Sequence, residues 1–229
     1  MAHLHTYGDF LARIDQAGFL FLSDVLSGMP SVWSETADAQ WHTGDPDTDP
    51  WQWKDRAAAE KRLAFGCVLG GHKGFIAPRL YAAFVRACQP DGALEERHDE
   101  GLVKPAVWDL WQCFEETPVL GSNDLNRLWK QSGRKSGGLE GAIRELQREF
   151  WITVSGNRRK LDRFGQPTGW AHLLYERVDI WAPAEWLAPA AGMSAAQARE
   201  SILDAARRMA PDVPTAAVIR TLRLPAGHR

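Results

Sequence analysis

The spacing of apolar positions divides the chain into helical stretches separated by turn-rich ones. Phe10, Leu11 and Ile14 recur at helical intervals and predict a helix from Tyr7 to Ala17, ended by Gly18. From Gly28 to Trp53 the pattern dissolves into turn formers and acids, and Pro46 and Pro50 exclude regular helix or central strand, so a loop is expected there. Helix formers dominate DRAAAEKRLAF, which predicts a helix over 55–65 with Asp55 as its cap. Another helix is expected from Pro78 through Cys88, burying Tyr81, Phe84 and Cys88. The turn Gln89-Pro90-Asp91-Gly92 and the polar stretch Glu95 to Glu100 mark a domain boundary.

The clearest order lies between Lys104 and Pro183. Val107, Leu110, Trp111 and Phe114 define a helix beginning near Pro105, and Leu125, Leu128 and Trp129 a short second one capped by Ser122 or Asn123. After a basic turn over 131–138, Leu139, Ala142, Ile143, Leu146 and Phe150 form the apolar stripe of a third helix, with Glu140, Arg144, Gln147 and Arg148 expected to face away from the core. The β-branched and aromatic run from Trp151 to Ser155, the turn Gly156-Asn157, a basic loop and a returning strand from Trp170 to Val178 follow. Three helices and then a hairpin is the order of a winged helix. Ser194 and Gln197 open a later helix reaching about Met209, and a last helix follows Pro214. The expected fold class is α+β, mostly α, built from winged helix-turn-helix units with small β-hairpins. Residues 1–100 would form an α/β unit with a Trp-rich acidic loop, for which a degenerate winged helix is one reading. Residues 101–187 would be the winged-helix domain, and 188–229 two helices packed on it.

Charge changes the picture more than composition does. The 229 residues carry a net charge of -2, but 130–163 contain nine bases against four acids, a net of +5 that leaves -7 for the remainder. Such a local excess attracts phosphate despite the overall sign. If the third helix enters a major groove, Arg134, Lys135 and Ser136 in its leading turn can meet phosphate at the positive helix end. Arg144, Gln147 and Arg148 would then reach base edges, while Arg158, Arg159, Lys160 and Arg163 on the wing would grip the backbone. The competing readings are a merely solvated hairpin and a hairpin that contacts protein.

Other segments bound the chemistry. Asp45, Asp47 and Asp49 alternate like a calcium loop, but Pro50 stands where the turn glycine belongs and Arg56 where the bidentate glutamate belongs, so no metal is expected. GCVLGGHKG lacks both the phosphate-loop and dinucleotide spacings. Cys67, Cys88 and Cys113 are an odd, widely spaced set that reads as buried thiols. His42 and His72 are lone histidines, more often structural than catalytic. Tryptophan is the outlier, at 11 residues. In DPWQWKDR aromatics, an amide and charges crowd together, either as a clasp pinning the acidic loop to the core or as a surface that stacks on a flipped nucleotide. With no long apolar run and no secretory leader, a cytoplasmic protein is expected.

WHTGDPDTDPWQWKDRAAAEKR, GCVLGGHKGF, REFWITVSGNRRK and VDIWAPAEWL together resemble the AlkZ-related proteins, a branch near the AlkZ family of bacterial winged-helix DNA glycosylases, over about Tyr7 to Leu187. The resemblance implies winged-helix units and an association with DNA. Glycosylases of that family carry Gln-x-Gln or Gln-x-Asp. Here Gln-x-Gln is missing and the one Gln-x-Asp is Gln89-Pro90-Asp91, in a turn, so the catalytic role is not carried onto it. The expectation is a DNA-binding winged-helix protein related to repair glycosylases, without their usual motif and with no cofactor. The alternatives are an active glycosylase for alkylated or cross-linked bases, with a base pocket of Trp51, Gln52, Trp53 and Asp55, and a protein-interaction module or transcriptional regulator. Double-stranded DNA is the expected partner, with no membrane association.

Overall fold

The computed structural model describes residues 3–133 and 138–225. Helix α1 (Tyr7–Ala17) begins at a reciprocal cap: the Thr6 hydroxyl accepts the Asp9 N–H, and the Asp9 carboxylate accepts the Thr6 N–H. Gly18, with φ 91°, turns the chain into strand β1 (Phe19–Phe21). The acidic loop that follows is organised by Asp49, which is fully buried. Its carboxylate accepts the backbone N–H groups of His42, Gly44 and Trp51 at 3.0, 2.9 and 2.8 Å.

Asp49 therefore caps helix α2 (Pro50–Ala59), with Pro50 in the first helical position. The expected start at Asp55 is corrected by this cap. Asp55 instead lies inside the helix, where its carboxylate is not consumed by terminal amides. The helix also ends earlier than its run of helix formers suggests, because Ala64–Leu69 form strand β2, almost wholly buried. A short apolar run of this kind carries no periodicity that separates strand from helix. Strand β3 (His72–Ile76) returns through Gly70 and Gly71, whose φ values of 66° and 93° suit a two-residue hairpin.

Helices α3 (Pro78–Cys88), α4 (Leu94–Asp99) and α5 (Pro105–Glu116) lead to strand β4 (Val119–Gly121). Helices α6 (Ser122–Gln131) and α7 (Leu139–Arg148) precede the long hairpin of β5 (Ile152–Leu161) and β6 (Pro167–Arg177). Short helices α8 (Val178–Trp181) and α9 (Ala184–Leu187) follow. The chain then enters α10 (Ala195–Met209), opened by the Ser194–Gln197 capping box, and α11 (Thr215–Leu222).

The fold is mixed α/β, with helix outweighing strand. Its strands form one antiparallel sheet in the order β1-β3-β2-β5-β6-β4, rather than separate small hairpins. The two halves join where Phe65 of β2 pairs with Val154 of β5. Each half repeats one plan: in the first, α1, β1 and α2 precede the hairpin β2–β3, with β1 on β3; in the second, α5, β4, α6 and α7 precede β5–β6, with β4 on β6. Strand order is thus symmetric about the β2–β5 seam.

Alternation along the strands sends side chains to two cores. Leu20, Phe65, Phe75, Val154 and Tyr175 pack with α1, α2, α5, α6 and α7 on one face. Phe19, Phe21, Ala64 and Ile76 pack with α3 and α8 to α11 on the other. Trp53, Trp111 and Trp129 fill the first core, and Trp181 and Trp186 the second. At the seam each half's last helix leans on a glycine of the other half: a Cβ on Gly66 of β2 would collide with Gln147 of α7, and one on Gly156 of β5 would press on Ala59 of α2. Gly70 lets the β2–β3 turn meet the backbone of Thr221 and Leu222 in α11. Among the described residues no helix is long and apolar enough to cross a membrane.

Replacing Asp49 with Ala removes three acceptor bonds and the α2 cap at once. The expected loss is roughly 2–4 kcal/mol, read as a lower urea midpoint with an unchanged slope.

Candidate functional site

On the first face of the sheet, two adjoining pockets open between α2 and α7. One, of about 290 Å³, lies between α2 and the β5–β6 hairpin. Its walls are His42, Trp51, Gln52, Lys54 and Asp55 on one side, and Asn157, Arg159 and Trp170 on the other. The second, of about 240 Å³, lies beside α7 and is lined by Cys67, Glu140, Arg144, Gln147 and Tyr175. Phe65, Lys73 and Leu173 border both, so the two form one cleft. The first pocket alone is near the lower end, about 300 Å³, of small-ligand sites.

Asp55 is the most constrained polar group in the cleft. It is buried, and its Oδ2 accepts from Lys54 Nζ at 2.7 Å and from Asn157 Nδ2 at 2.6 Å. Its Oδ1 is buried and has no hydrogen-bond partner. One oxygen is thus fixed by two donors while the other keeps its full accepting capacity, an arrangement that costs stability and calls for a reason. Lys54 is equally enclosed: its Nζ stands 4.3 Å from the Trp51 ring centroid, a cation–π contact. Burial pulls the Lys54 ammonium below its ordinary value, Asp55 opposes that pull, and Lys73 adds to it. His42 sits in the left-handed region at φ 64°, its N–H bound to Asp49 and its ring 5.0 Å from that of Trp51.

The hairpin supplies the opposite wall through strand alternation. Asn157 and Arg159 turn toward the cleft, whereas Arg158 turns to the other face, 3.7 Å from Asp124 of α6. Trp170 is 91% exposed at the pocket mouth, and Phe164 near the hairpin tip is also exposed, with the Arg163 guanidinium 4.6 Å from its ring. Three cations, Lys54, Lys73 and Arg159, thus face one carboxylate in this pocket. In the neighbouring pocket burial raises the Cys67 thiol against the pull of Lys73 and Arg144, which favours its protonated form.

The residues singled out from sequence are distributed unevenly. Trp51, Gln52 and Asp55 line the first pocket, but Trp53 does not: it is fully buried, and its indole N–H donates to the Asp47 carbonyl at 2.9 Å. Arg144 lines the second pocket. Gln147, expected to face outward from α7, is buried, because its Oε1 accepts the Cys67 N–H of β2 at 2.9 Å. Arg148 pairs with its neighbour Glu149 at 2.6 Å. Lys160 falls in β5 away from the seam, and Arg134, Lys135 and Ser136 lie outside the described residues. Gln89 and Asp91 stand apart from the cleft, the first bonded to the Phe150 carbonyl and the second paired with Arg86. Sequence reasoning missed Lys54, Lys73, Asn157 and Trp170 as pocket residues. Among the described residues no cluster of His, Cys, Asp or Glu suits a metal ion.

Fold and site together define a mixed α/β protein of two fused helix–strand halves with an ionisable cleft at their junction. Residues 4–223 match the family model described as AlkZ related, and the chain belongs to that family, which is related to DNA-repair glycosylase-like proteins. No curated protein and no solved structure matches the chain.

Gln147→Ala is expected to cost roughly 1–3 kcal/mol in chemical unfolding, because the Cys67 N–H loses its partner. It should leave any DNA sequence preference unchanged, as measured by competition between duplexes.

Proposed function

We propose that this protein binds duplex DNA through the β5–β6 hairpin and α7, draws one nucleoside out of the stack into the pocket beside Asp55, and hydrolyses its N-glycosidic bond. The observation that carries this reading is the Asp55 carboxylate, with one oxygen fixed by Lys54 and Asn157 and the other unpartnered in a pocket bordered by Trp51 and Trp170. Base release needs a positioned carboxylate to take a proton from water and to stabilise positive charge growing at the sugar C1′. A flat base needs aromatic faces, which Trp51 and Trp170 supply, and exposed indole on a hairpin can also fill the gap left in the stack. Lys73 and Arg159 are suited to flanking phosphate or to the departing base.

In this reading α5, α6, α7 and the hairpin act as a winged helix, with β4 completing the three-stranded wing sheet, and α1, β1, α2 and β2–β3 act as a second, reduced copy fused through the seam. Residues 1–100 and 101–187 are then the two units, and 188–229 brace the second face. Binding without catalysis is the second reading, favoured by the position of Gln89 and Asp91 away from the cleft.

Duplexes carrying alkylated purines should acquire abasic sites, detected by cleavage in hot alkali. Asp55→Asn should slow their appearance by at least about 100-fold while duplex affinity is kept. A wild-type chain that neither binds duplex nor releases a base would overturn the proposal. Separately, Arg159→Ala should weaken duplex binding and lower the slope of log affinity against log salt by about 1.

A further inference from the structure

The excision reading leaves a second reactive group in the pocket unused. Lys54 Nζ lies 2.7 Å from Asp55 Oδ2, on the same carboxylate whose Oδ1 is unpartnered, so an amine and a proton acceptor are within reach of one atom. The Lys54 side chain is only 6% exposed and is covered by the rings of Trp51 and Phe65. Enclosure of this kind eases loss of the ammonium proton, and the Asp55 carboxylate stands within reach to take it. An ion pair on the helix surface would do as much for stability without this enclosure.

We propose that Lys54 is the nucleophile of an abasic-site lyase activity, attacking C1′ of a deoxyribose that has lost its base. This rests on the reading of the pocket as a nucleoside site. The Lys54 ammonium gives a proton to Asp55, and the free amine adds to the aldehyde carbon of the ring-opened sugar. A proton moves from that nitrogen to the oxygen, the carbinolamine hydroxyl takes the proton held by Asp55 and leaves as water, and a C1′ iminium remains. Loss of a proton from C2′ to the carboxylate breaks the C3′–O bond, and the 3′ phosphate departs as a monoester on the downstream strand. Hydrolysis of the iminium frees the lysine, so strand scission needs water alone and no redox partner. Lys73 is the rival amine, since it borders the same pocket.

The test is reductive trapping with borohydride on a duplex holding a pre-formed abasic site, which needs no base excision. The wild-type chain should give a covalent protein–DNA species, and peptide mapping should place the sugar on Lys54. Lys54→Arg keeps the positive charge beside Asp55 and should trap at least 100-fold more slowly, whereas Lys61→Arg, outside the pocket lining, should trap at a rate close to wild type. Circular dichroism and melting of each variant exclude unfolding as the cause. No trapped species, an adduct on another amine, or trapping preserved in Lys54→Arg overturns the proposal. Trapping on Lys54 without base release from any lesion would sustain the lyase and remove the excision reading. Base release without trapping would do the reverse.

Discussion

Among the side chains that cross the seam between the halves of this protein, two frame the cleft. Asn157 of β5 reaches the Asp55 carboxylate of α2, and Gln147 of α7 reaches the Cys67 amide of β2. In each case the strand residue follows a glycine, Gly156 or Gly66, that lets the opposing helix approach. The ties flank the single register pair, Phe65 with Val154, that joins the two sets of strands. A buried hydrogen bond to a charged group contributes about 1.5–3 kcal/mol, enough to fix the angle at which α2 and α7 stand apart over the sheet. Because the same carboxylate that ties the seam also borders the pocket, fold stability and site geometry are coupled at Asp55.

Charge in the cleft is organised differently from charge on the surface. Arg148 and Arg158 have carboxylates within 2.6 and 3.7 Å, and Lys104 pairs with Glu145, so part of the positive excess in the second half is locally compensated. In the pocket three cations face one buried carboxylate, and the pair Lys54–Asp55 is enclosed where water screens less. Cationic side chains are therefore gathered where the hairpin closes on α2 as well as along α7.

Much of the framework is legible in the sequence because it is written locally. Helices α1, α3, α5 and α10 follow from apolar spacing and from terminal residues that stop or cap them. The start of α2 is not legible, because Asp49 sits in a run of acids and prolines where nothing marks it as the buried cap. The single sheet is not legible either, since β2 and β5 meet across more than eighty residues and β2 is a glycine-punctuated apolar run. In the site, Trp51 and Asp55 stand out in sequence as an aromatic–acid cluster, and placing that cluster on a helix separates its members. Positions 51, 54 and 55 share a face at spacings of three and four, while 53 turns to the core. Asn157 follows a glycine and reads as a turn residue. Only the register of the hairpin reveals that it faces α2, and no local signal announces Lys73 or Trp170.

In the proposed reaction a nucleoside leaves the DNA stack and enters the pocket between α2 and the hairpin. The most direct measurement is a crystal structure of the wild-type chain with a duplex holding one 2′-fluoro nucleoside, whose fluorine disfavours positive charge at C1′ and so retains the base. The retained base is expected between Trp51 and Trp170, with its C1′ beside Asp55 and the hairpin against the flanking phosphates. A duplex bound on another face, or one bound at the hairpin with every base still stacked and the pocket vacant, would contradict it.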